Sequence, residues 1–278
     1  MYPYRRASFQ LLLISSVFLL TLVWNFTAFG QAGWYESSAF CGGEWLKYKV
    51  KWGIIRLGTV EIFQEKTGEN HSPIFKVRMH AKSNNLPFIN VFFINEGNLN
   101  PYHPTLQHFT LISGKEADNV TTYVYNPHSK TVLMKTVEQG KIVRLDSLIH
   151  SDAIYDALGM FMFIRCLSAS GFNITLNNIV DFKISQTHLK FSGEIDTINV
   201  SAFEKRQTAL KFSGKADWVG KAWAGVTGPF HGWISHDSCA IPLKVQIKIF
   251  LGSITLELEK FTREDKTKNS QNSFLLQN

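Results

Sequence analysis

The chain is poor in cysteine, with only three in 278 residues and no C-x-x-C pair among them. A disulfide-rich scaffold and a cysteine-based metal site are therefore both excluded. Cys166 lies in the apolar stretch 161–167 and is expected to be a small buried hydrophobe. If one pair is oxidised, we expect it to be Cys41 with Cys239, although the sequence leaves open whether any pair is.

Charged residues are also few, at 18% of the chain against 45% hydrophobic residues. This balance excludes a disordered polymer, and the chain is long enough to bury a sizeable core. The formal net charge is +7, but the cations are spread singly and no run of five consecutive Lys or Arg residues occurs. We therefore expect no nucleic-acid partner.

Catalytic and cofactor-binding signatures are missing as well. The sequence has no G-x-G-x-x-G, P-loop, H-E-x-x-H or G-x-S-x-G motif, which removes the commonest nucleotide-binding, zinc-protease and hydrolase routes. The nine histidines are scattered, and the nearest pair, His231 and His236, would point to opposite faces of a strand. We expect neither a metal nor a cofactor, and we assign no catalytic residue.

The N-terminus has the pattern of a secretory signal. Two arginines precede an apolar stretch at 11–29, and small residues stand before a cut ahead of Gln31. The pattern predicts a cleaved signal at 1–30 and an exported protein. The apolar stretch is also long enough to be kept as a membrane anchor, so both outcomes stay open.

The dominant sequence period is two residues, which is typical of half-buried strands. Leu46, Tyr48, Val50 and Trp52 alternate with lysines, and similar runs recur along the chain between glycine-marked turns. The segment Ser151–Ala169 differs, because its apolar residues recur every three or four positions. This spacing predicts a helix with Ser151 as its N-cap.

Together these patterns predict a mainly β protein. We expect a curved antiparallel sheet, half-barrel or barrel-like, with roughly a dozen strands and one central helix. One β-rich domain is expected at 31–261, followed by a polar and disordered tail at 262–278.

Aromatic residues are abundant, at 13% of the chain. Trp218, Trp223, Phe230 and Trp233 fall among glycines, where they either line a ligand groove or fill the core. Trp233 and Tyr48 are expected on core-facing positions. Arg165, on the apolar stripe of the helix, either reaches water from the edge of that stripe or forms a buried ion pair. We take these aromatics, other than Tyr48, and Arg165 as candidate ligand-binding residues.

Three stretches together resemble a family of exported bacterial proteins catalogued as domain of unknown function 3108. They are an opening strand with two glycine-marked positions, a central acid, aromatic and arginine, and a final strand pair. The final element is also similar, more loosely, to the half-barrels of periplasmic lipoprotein carriers. The positions that carry the family resemblance are Glu44, Tyr48, Gly53, Gly58, Asp152, Tyr155, Arg165, Trp233, Asp237, Pro242 and Gly252.

The resemblance implies a protein of the periplasm or cell envelope of a Gram-negative bacterium, with no established activity. Our leading hypothesis is a non-enzymatic protein that binds an apolar or lipidic small molecule in a β half-barrel. One alternative is an envelope hydrolase acting on glycan or lipid through carboxylates such as Asp152, Asp156, Glu194 or Asp237. The other is a scaffold in outer-membrane assembly, with peripheral contacts to the membrane or to envelope proteins.

Overall fold

The computed structural model describes most of the chain after the N-terminal segment. The described residues are 39–40, 42–67, 73–84, 90–114, 117–150, 152–168, 171–218, 227–249 and 252–263. The predicted signal at 1–30, Cys41, Trp223 and residues 264–278 of the predicted tail lie outside them. Among the described residues, no helix is both long and apolar enough to cross a membrane.

Fifteen strands and one helix make up the described part of the fold. In chain order they are β1 (Gly43–Trp52), β2 (Ile55–Thr67), β3 (Ile74–Ser83), β4 (Phe92–Asn100), β5 (His103–Ser113), β6 (Asn119–Asn126), β7 (Thr131–Glu138), β8 (Lys141–Ile149), β9 (Ile154–Tyr155), α1 (Ala157–Leu167), β10 (Asn173–Val180), β11 (Lys183–Ile198), β12 (Gln207–Asp217), β13 (Gly228–Ser235), β14 (Pro242–Ile249) and β15 (Gly252–Arg263).

All strands belong to one sheet, in the order β8-β7-β6-β5-β4-β3-β2-β1-β15-β14-β13-β12-β11-β10-β9. Neighbouring strands are antiparallel except β9 and β10, which are parallel. Two meanders, β1 to β8 and β10 to β15, are joined where β1 pairs with β15. The sheet is curved but not closed into a barrel. The predicted fold class is therefore confirmed, with more strands than the dozen expected.

The helix begins later than the spacing predicted. It spans Ala157–Leu167, and Asp156 is its N-cap, since the Asp156 carboxylate accepts hydrogen bonds from the backbone N–H groups of Leu158 and Gly159. Ile154 and Tyr155 instead form β9 beside β10. The predicted start of the helix at Ser151 was wrong. Ile154 has the spacing of a residue on the apolar side of the helix, but it pairs with the strand β10 instead.

One face of the sheet carries α1, and we call it the inner face. The helix packs against β3, β4, β5, β9 and β10. A methyl group at Gly159 would lie 2.3 Å from the carbonyl oxygen of Pro104, so helix and sheet are in close backbone contact here. The core between them is built from buried inner-face residues that include Leu46, Phe75, Val77, Met79, Leu99, Leu158, Met162 and Leu258.

The last strand extends further than the expected domain end. β15 continues through Thr262 to Arg263, and its register pairs Glu44 with Arg263 and Trp45 with Thr262. The first two residues of the predicted tail therefore belong to the sheet.

Candidate functional site

Arg165 is buried beneath the sheet rather than exposed at the edge of the helix. Its Nη1 and Nη2 atoms donate to the two carboxylate oxygens of Glu44 on β1, at 2.6 and 3.0 Å. The side chains of both residues are almost completely buried, at 0% and 1% exposure. Of the two alternatives that the sequence left open, the structure shows the buried ion pair.

The turn between β13 and β14 completes the surroundings of Arg165. Arg165 Nε donates to the carbonyl oxygen of Ala240 at 3.1 Å, and Nη2 donates to that of Cys239 at 3.0 Å. The Asp237 carboxylate shapes this turn by accepting from the Ser235 hydroxyl and from the backbone N–H groups of Cys239 and Ala240. Asp237 is thus a positioning residue for the two carbonyls that Arg165 binds.

Tyr48 lies on the same face of β1 as Glu44, and its side chain is buried. Burial raises the pKa of the Tyr48 hydroxyl far above its ordinary value, so the phenol stays neutral. Its oxygen has no hydrogen-bond partner among the described residues. We call Glu44, Tyr48 and Arg165 the buried polar cluster, and the exposed Asp237 lies next to it in the β13–β14 turn. Four positions of the family resemblance thus meet at one place, where they tie α1 to the centre of the sheet.

The remaining resemblance positions lie elsewhere. Tyr155 is on β9 and its ring packs edge-on against Phe163, with ring centroids 5.0 Å apart. Asp152 is exposed between β8 and β9. The others mark turns and strand positions: Gly53 in the β1–β2 turn, Gly58 on β2, Trp233 on β13, Pro242 at the start of β14 and Gly252 at the start of β15.

The inner face also carries apolar side chains that are only half-buried, beyond the region where α1 packs. Two cross-strand rows, one over β13, β14, β15 and β1 and the other over β14, β15 and β1, are called the apolar rows. Their register places Phe230 opposite Ile247, Ile247 opposite Ile254 and Ile254 opposite Trp52. The second row contains Val245, Leu256 and Val50. All seven side chains are partly accessible, and Trp52 is 38% exposed.

The candidate aromatic residues do not all share one face. Phe230 lies on the inner face, over Gly214, where an added methyl group would meet its ring at 2.5 Å. The Trp218 indole N–H donates to the hydroxyl of Thr187, which is also on the inner face, at 2.9 Å. Trp223 lies outside the described residues.

Trp233 occupies the opposite, outer face of β13. Its indole N–H donates to the Asp196 carboxylate at 3.0 Å, and its ring packs against His231. Its neighbour Ile234, which is fully buried, points inward instead. The expected contact of Trp233 with the hydrophobic core is present, but Trp233 makes it from the outer face, because a period of two fixes the alternation of a strand but not the face of the sheet that each set of residues occupies. For Tyr48 the same expectation is confirmed.

The four carboxylates of the hydrolase hypothesis lie in separate surroundings. Asp156 caps α1, Asp237 shapes the β13–β14 turn, and Glu194 pairs with Lys211 on the surface at 2.6 Å. Asp152 lines a cleft of about 250 Å³ together with His103 and Tyr125. In this cleft Asp152 shares a pocket with a histidine, His103.

Metal-binding groups do not gather in the described residues, where no set of three His, Cys, Asp or Glu side chains could hold an ion. His231 is bonded to Gln246 at 2.8 Å on β14. An open groove of about 430 Å³ on the outer face of β10 to β12 includes His188, Lys190 and Lys215, with Asp217 paired to His188 at its edge.

The fold and the buried polar cluster define a class: an open, barrel-like β protein in which α1, the one helix among the described residues, is bound to the sheet through a buried arginine. Comparison with known families makes this specific. Residues 47–259 match the family described as "Protein of unknown function (DUF3108)", so the chain belongs to that family. The resemblance noted from the sequence is confirmed.

One solved structure supports the fold assignment. It is the crystal structure of a beta-barrel-like protein of domain of unknown function DUF1849 from Brucella abortus, with 11% sequence identity and a TM-score of 0.51. The match covers 81% of this chain and 99% of that one. At this identity the likeness concerns the fold alone. No curated protein matches the chain.

Proposed function

We propose that this protein is an exported, non-enzymatic protein of the cell envelope that holds an apolar or lipidic ligand against the inner face of its open sheet. The proposed ligand site consists of the apolar rows, with Phe230 and Trp52 at their two ends. Trp218 lies at the margin of this surface, whereas Arg165 and Trp233 lie outside it.

The partial exposure of the apolar rows carries this proposal. A β-sheet that covers its inner face with its own helix buries those side chains, as happens at Val77 on β3 and Leu99 on β4. Beyond the helix, seven apolar side chains on adjacent strands stay accessible and contiguous. Contiguous, accessible apolar side chains on a curved sheet are the kind of lining that small-molecule sites use.

The N-terminal pattern supports export, because a basic segment, an apolar stretch and small residues follow one another in the order of a secretory signal. Expression of the full chain in a Gram-negative host, followed by fractionation and N-terminal sequencing, tests this part. We expect a periplasmic protein that begins at Gln31. A chain found in the cytoplasm with its first residues intact would contradict it.

Native mass spectrometry with lipid extraction, on protein purified from the envelope fraction, tests ligand binding directly. We expect a stoichiometric mass increment that extraction removes and that carries acyl chains. The same protein should bind a dansyl-labelled undecanoic acid with increased probe fluorescence. A protein that is empty by mass and does not bind the probe would refute the ligand-holding function.

A matched pair of variants locates the site. Ile247→Asp places a charge within the apolar rows and should weaken probe binding about tenfold or more, since a buried aliphatic side chain contributes roughly 1.5–3 kcal/mol. Ile195→Asp makes the same change on β11 at a side chain that is 54% exposed, and should leave binding unchanged. Thermal melting of both variants separates lost binding from lost folding. Equal losses in the two folded variants would place the ligand elsewhere.

A further inference from the structure

The β1–β2 turn presents apolar side chains to solvent, where turns ordinarily carry polar ones. Ile54 is 99% exposed, Ile55 is 48% exposed and Trp52 is 38% exposed. Gly53 takes a positive φ of 57° to make the turn, and a methyl group added there would have no atom within 4 Å. The turn is therefore open to solvent at Gly53 and Ile54. We call residues Trp52–Ile55 the hairpin tip.

The hairpin tip is continuous with the apolar rows. Trp52 pairs with Ile254 on β15 and with Ile55 on β2, so its indole belongs to both surfaces. Its Nε1 atom would lie 3.6 Å from a methyl group at Gly252, which places the ring against the start of β15. Apolar side chains are therefore continuous from the fully exposed Ile54 through Trp52 to Phe230, at the other end of the first row.

The strand ends around the hairpin tip contain basic residues and no acidic residues of their own, although the carboxylates of Glu257 and Glu259 reach into this region. These strand ends comprise the described residues 50–60, 80–84, 90–95, 244–249 and 252–256, which contain no Asp or Glu. Lys51, Arg56, Lys82, Lys244 and Lys248 lie among them. Lys51 and Arg56 are paired with Glu257 and Glu259, at 2.9 and 2.8 Å, while Lys82 and Lys248 are exposed.

We propose that the hairpin tip docks this protein on an anionic lipid bilayer, with Ile54, Ile55 and Trp52 inserted between the headgroups. Trp and Ile side chains next to exposed lysines match the two components of interfacial binding, apolar insertion and attraction to anionic lipids. The inference deepens the proposed function and rests on it for what happens to the lipid after docking. An acyl chain leaving the bilayer would contact Trp52 first and then the apolar rows.

Co-sedimentation with vesicles tests the docking. The mature protein is mixed with vesicles of phosphatidylethanolamine and phosphatidylglycerol, and with neutral vesicles of phosphatidylcholine. We expect binding to the anionic vesicles that weakens with added salt. Ile54→Asp should reduce that binding about tenfold or more, and Ile54→Trp should preserve it. Ile149→Asp is the matched control, since Ile149 is an 81% exposed aliphatic side chain at the opposite end of the sheet.

The outcomes separate docking from ligand holding, because Ile54→Asp should still bind the dansyl-labelled fatty acid in solution. If no variant binds the probe while Ile54→Asp alone loses the vesicles, the docking stands and the ligand-holding function fails. Docking is overturned if the wild-type protein ignores anionic vesicles, or if Ile54→Asp and Ile149→Asp behave alike. It is also overturned if sedimentation velocity shows that Ile54→Asp only dissociates a dimer, since the tip would then be a contact between copies.

Discussion

Arg165 is a charged side chain placed where water does not reach it, and its three guanidinium nitrogens all have fixed acceptors. Two of them bind the Glu44 carboxylate, the backbone carbonyls at 239 and 240 accept two further N–H groups, and Nη1 also lies 3.8 Å from the Met162 sulfur. Desolvating two charges costs about as much as their attraction returns, so the pair adds little net stability over an apolar replacement. Its effect is on geometry, because only one position of α1 satisfies all four hydrogen bonds.

Removing one partner of this pair should be costly. Glu44→Gln leaves a buried guanidinium without its counter-charge, and we expect a loss of about 3–5 kcal/mol in the free energy of unfolding. Urea denaturation followed by circular dichroism measures it. The double variant Glu44→Leu with Arg165→Met should recover part of the loss, because neither charge of this pair then stays buried alone, although Arg263 loses its 3.8 Å contact with the Glu44 carboxylate. A single variant within about 1 kcal/mol of wild type would show that water enters the cluster.

The sequence suggested the buried ion pair only as one of two alternatives at Arg165. It could not name Glu44, because the two residues lie 121 positions apart and no local spacing connects them. The sequence did carry one indication of the partner. Glu44 lies two and four positions before Leu46 and Tyr48 on an amphipathic strand, so this charged residue shares their core-facing side. A charged side chain on an apolar surface needs a partner of opposite charge, and Arg165 and Glu44 form such a pair.

The helix α1 begins at an aspartate that has no access to solvent. Burial raises the pKa of Asp156 to about 6, although the backbone N–H groups of Gly159 and Leu158 lower it in part by donating to the carboxylate. Its second oxygen, Oδ2, has no partner among the described residues. The helix therefore starts on a carboxylate that is charged at neutral pH at a cost to the folded state.

Because the pKa of Asp156 is higher in the folded protein than its ordinary value of 3.8, the folded state binds the proton more tightly than the unfolded state. This residue should therefore add stability as the pH falls through about 6, by about 2 kcal/mol near pH 4 and about 3 kcal/mol once the pH is well below 3.8. Asp156→Asn keeps an N-cap oxygen but cannot titrate. Subtracting the unfolding free energies of variant and wild type at each pH isolates this contribution, and a difference that does not change between about pH 7 and pH 4 would contradict it.

At the scale of elements, the alternating pattern was sufficient for the strands and insufficient for their orientation. β13 shows this at Trp233 and Ile234, where two large apolar neighbours leave the buried set undecided until the adjoining strands are known. The helix shows the other limit, since Ile154 fits the helical spacing but is held by β10. The face that Trp233 occupies and the residue at which α1 starts have one physical origin: tertiary contacts decide between local alternatives of similar energy.

The whole molecule is organised around one long-range strand pair. β1 and β15 join two meanders whose other pairings all connect strands that are neighbours in sequence. Tyr48 and Leu258 face each other across this seam, and both are buried beside the polar cluster. The seam, α1 and the β13–β14 turn therefore act together in holding the two halves of the sheet.

A cavity at the seam should weaken both meanders equally. Leu258→Ala removes a fully buried side chain, and we expect a loss of about 2–5 kcal/mol in stability. Native-state hydrogen exchange measures the effect separately for amides of β4 and β5 and for amides of β11 and β12. The change in opening free energy should be the same in the two sets. A change confined to one set would show that the meanders unfold independently.

The pairing of β1 with β15 also has a consequence in time. β1 leaves the ribosome first among the fifteen strands and its partner leaves last, so the central strand of the sheet must wait for nearly the whole chain before it can pair on both sides. Closing so long a loop is slow. Until β15 arrives, β1 is paired only with β2, and its other edge has no partner strand. During synthesis the chain therefore passes through a half-formed sheet whose central strand has an unpaired edge. Such a state binds holdase chaperones and is prone to aggregate.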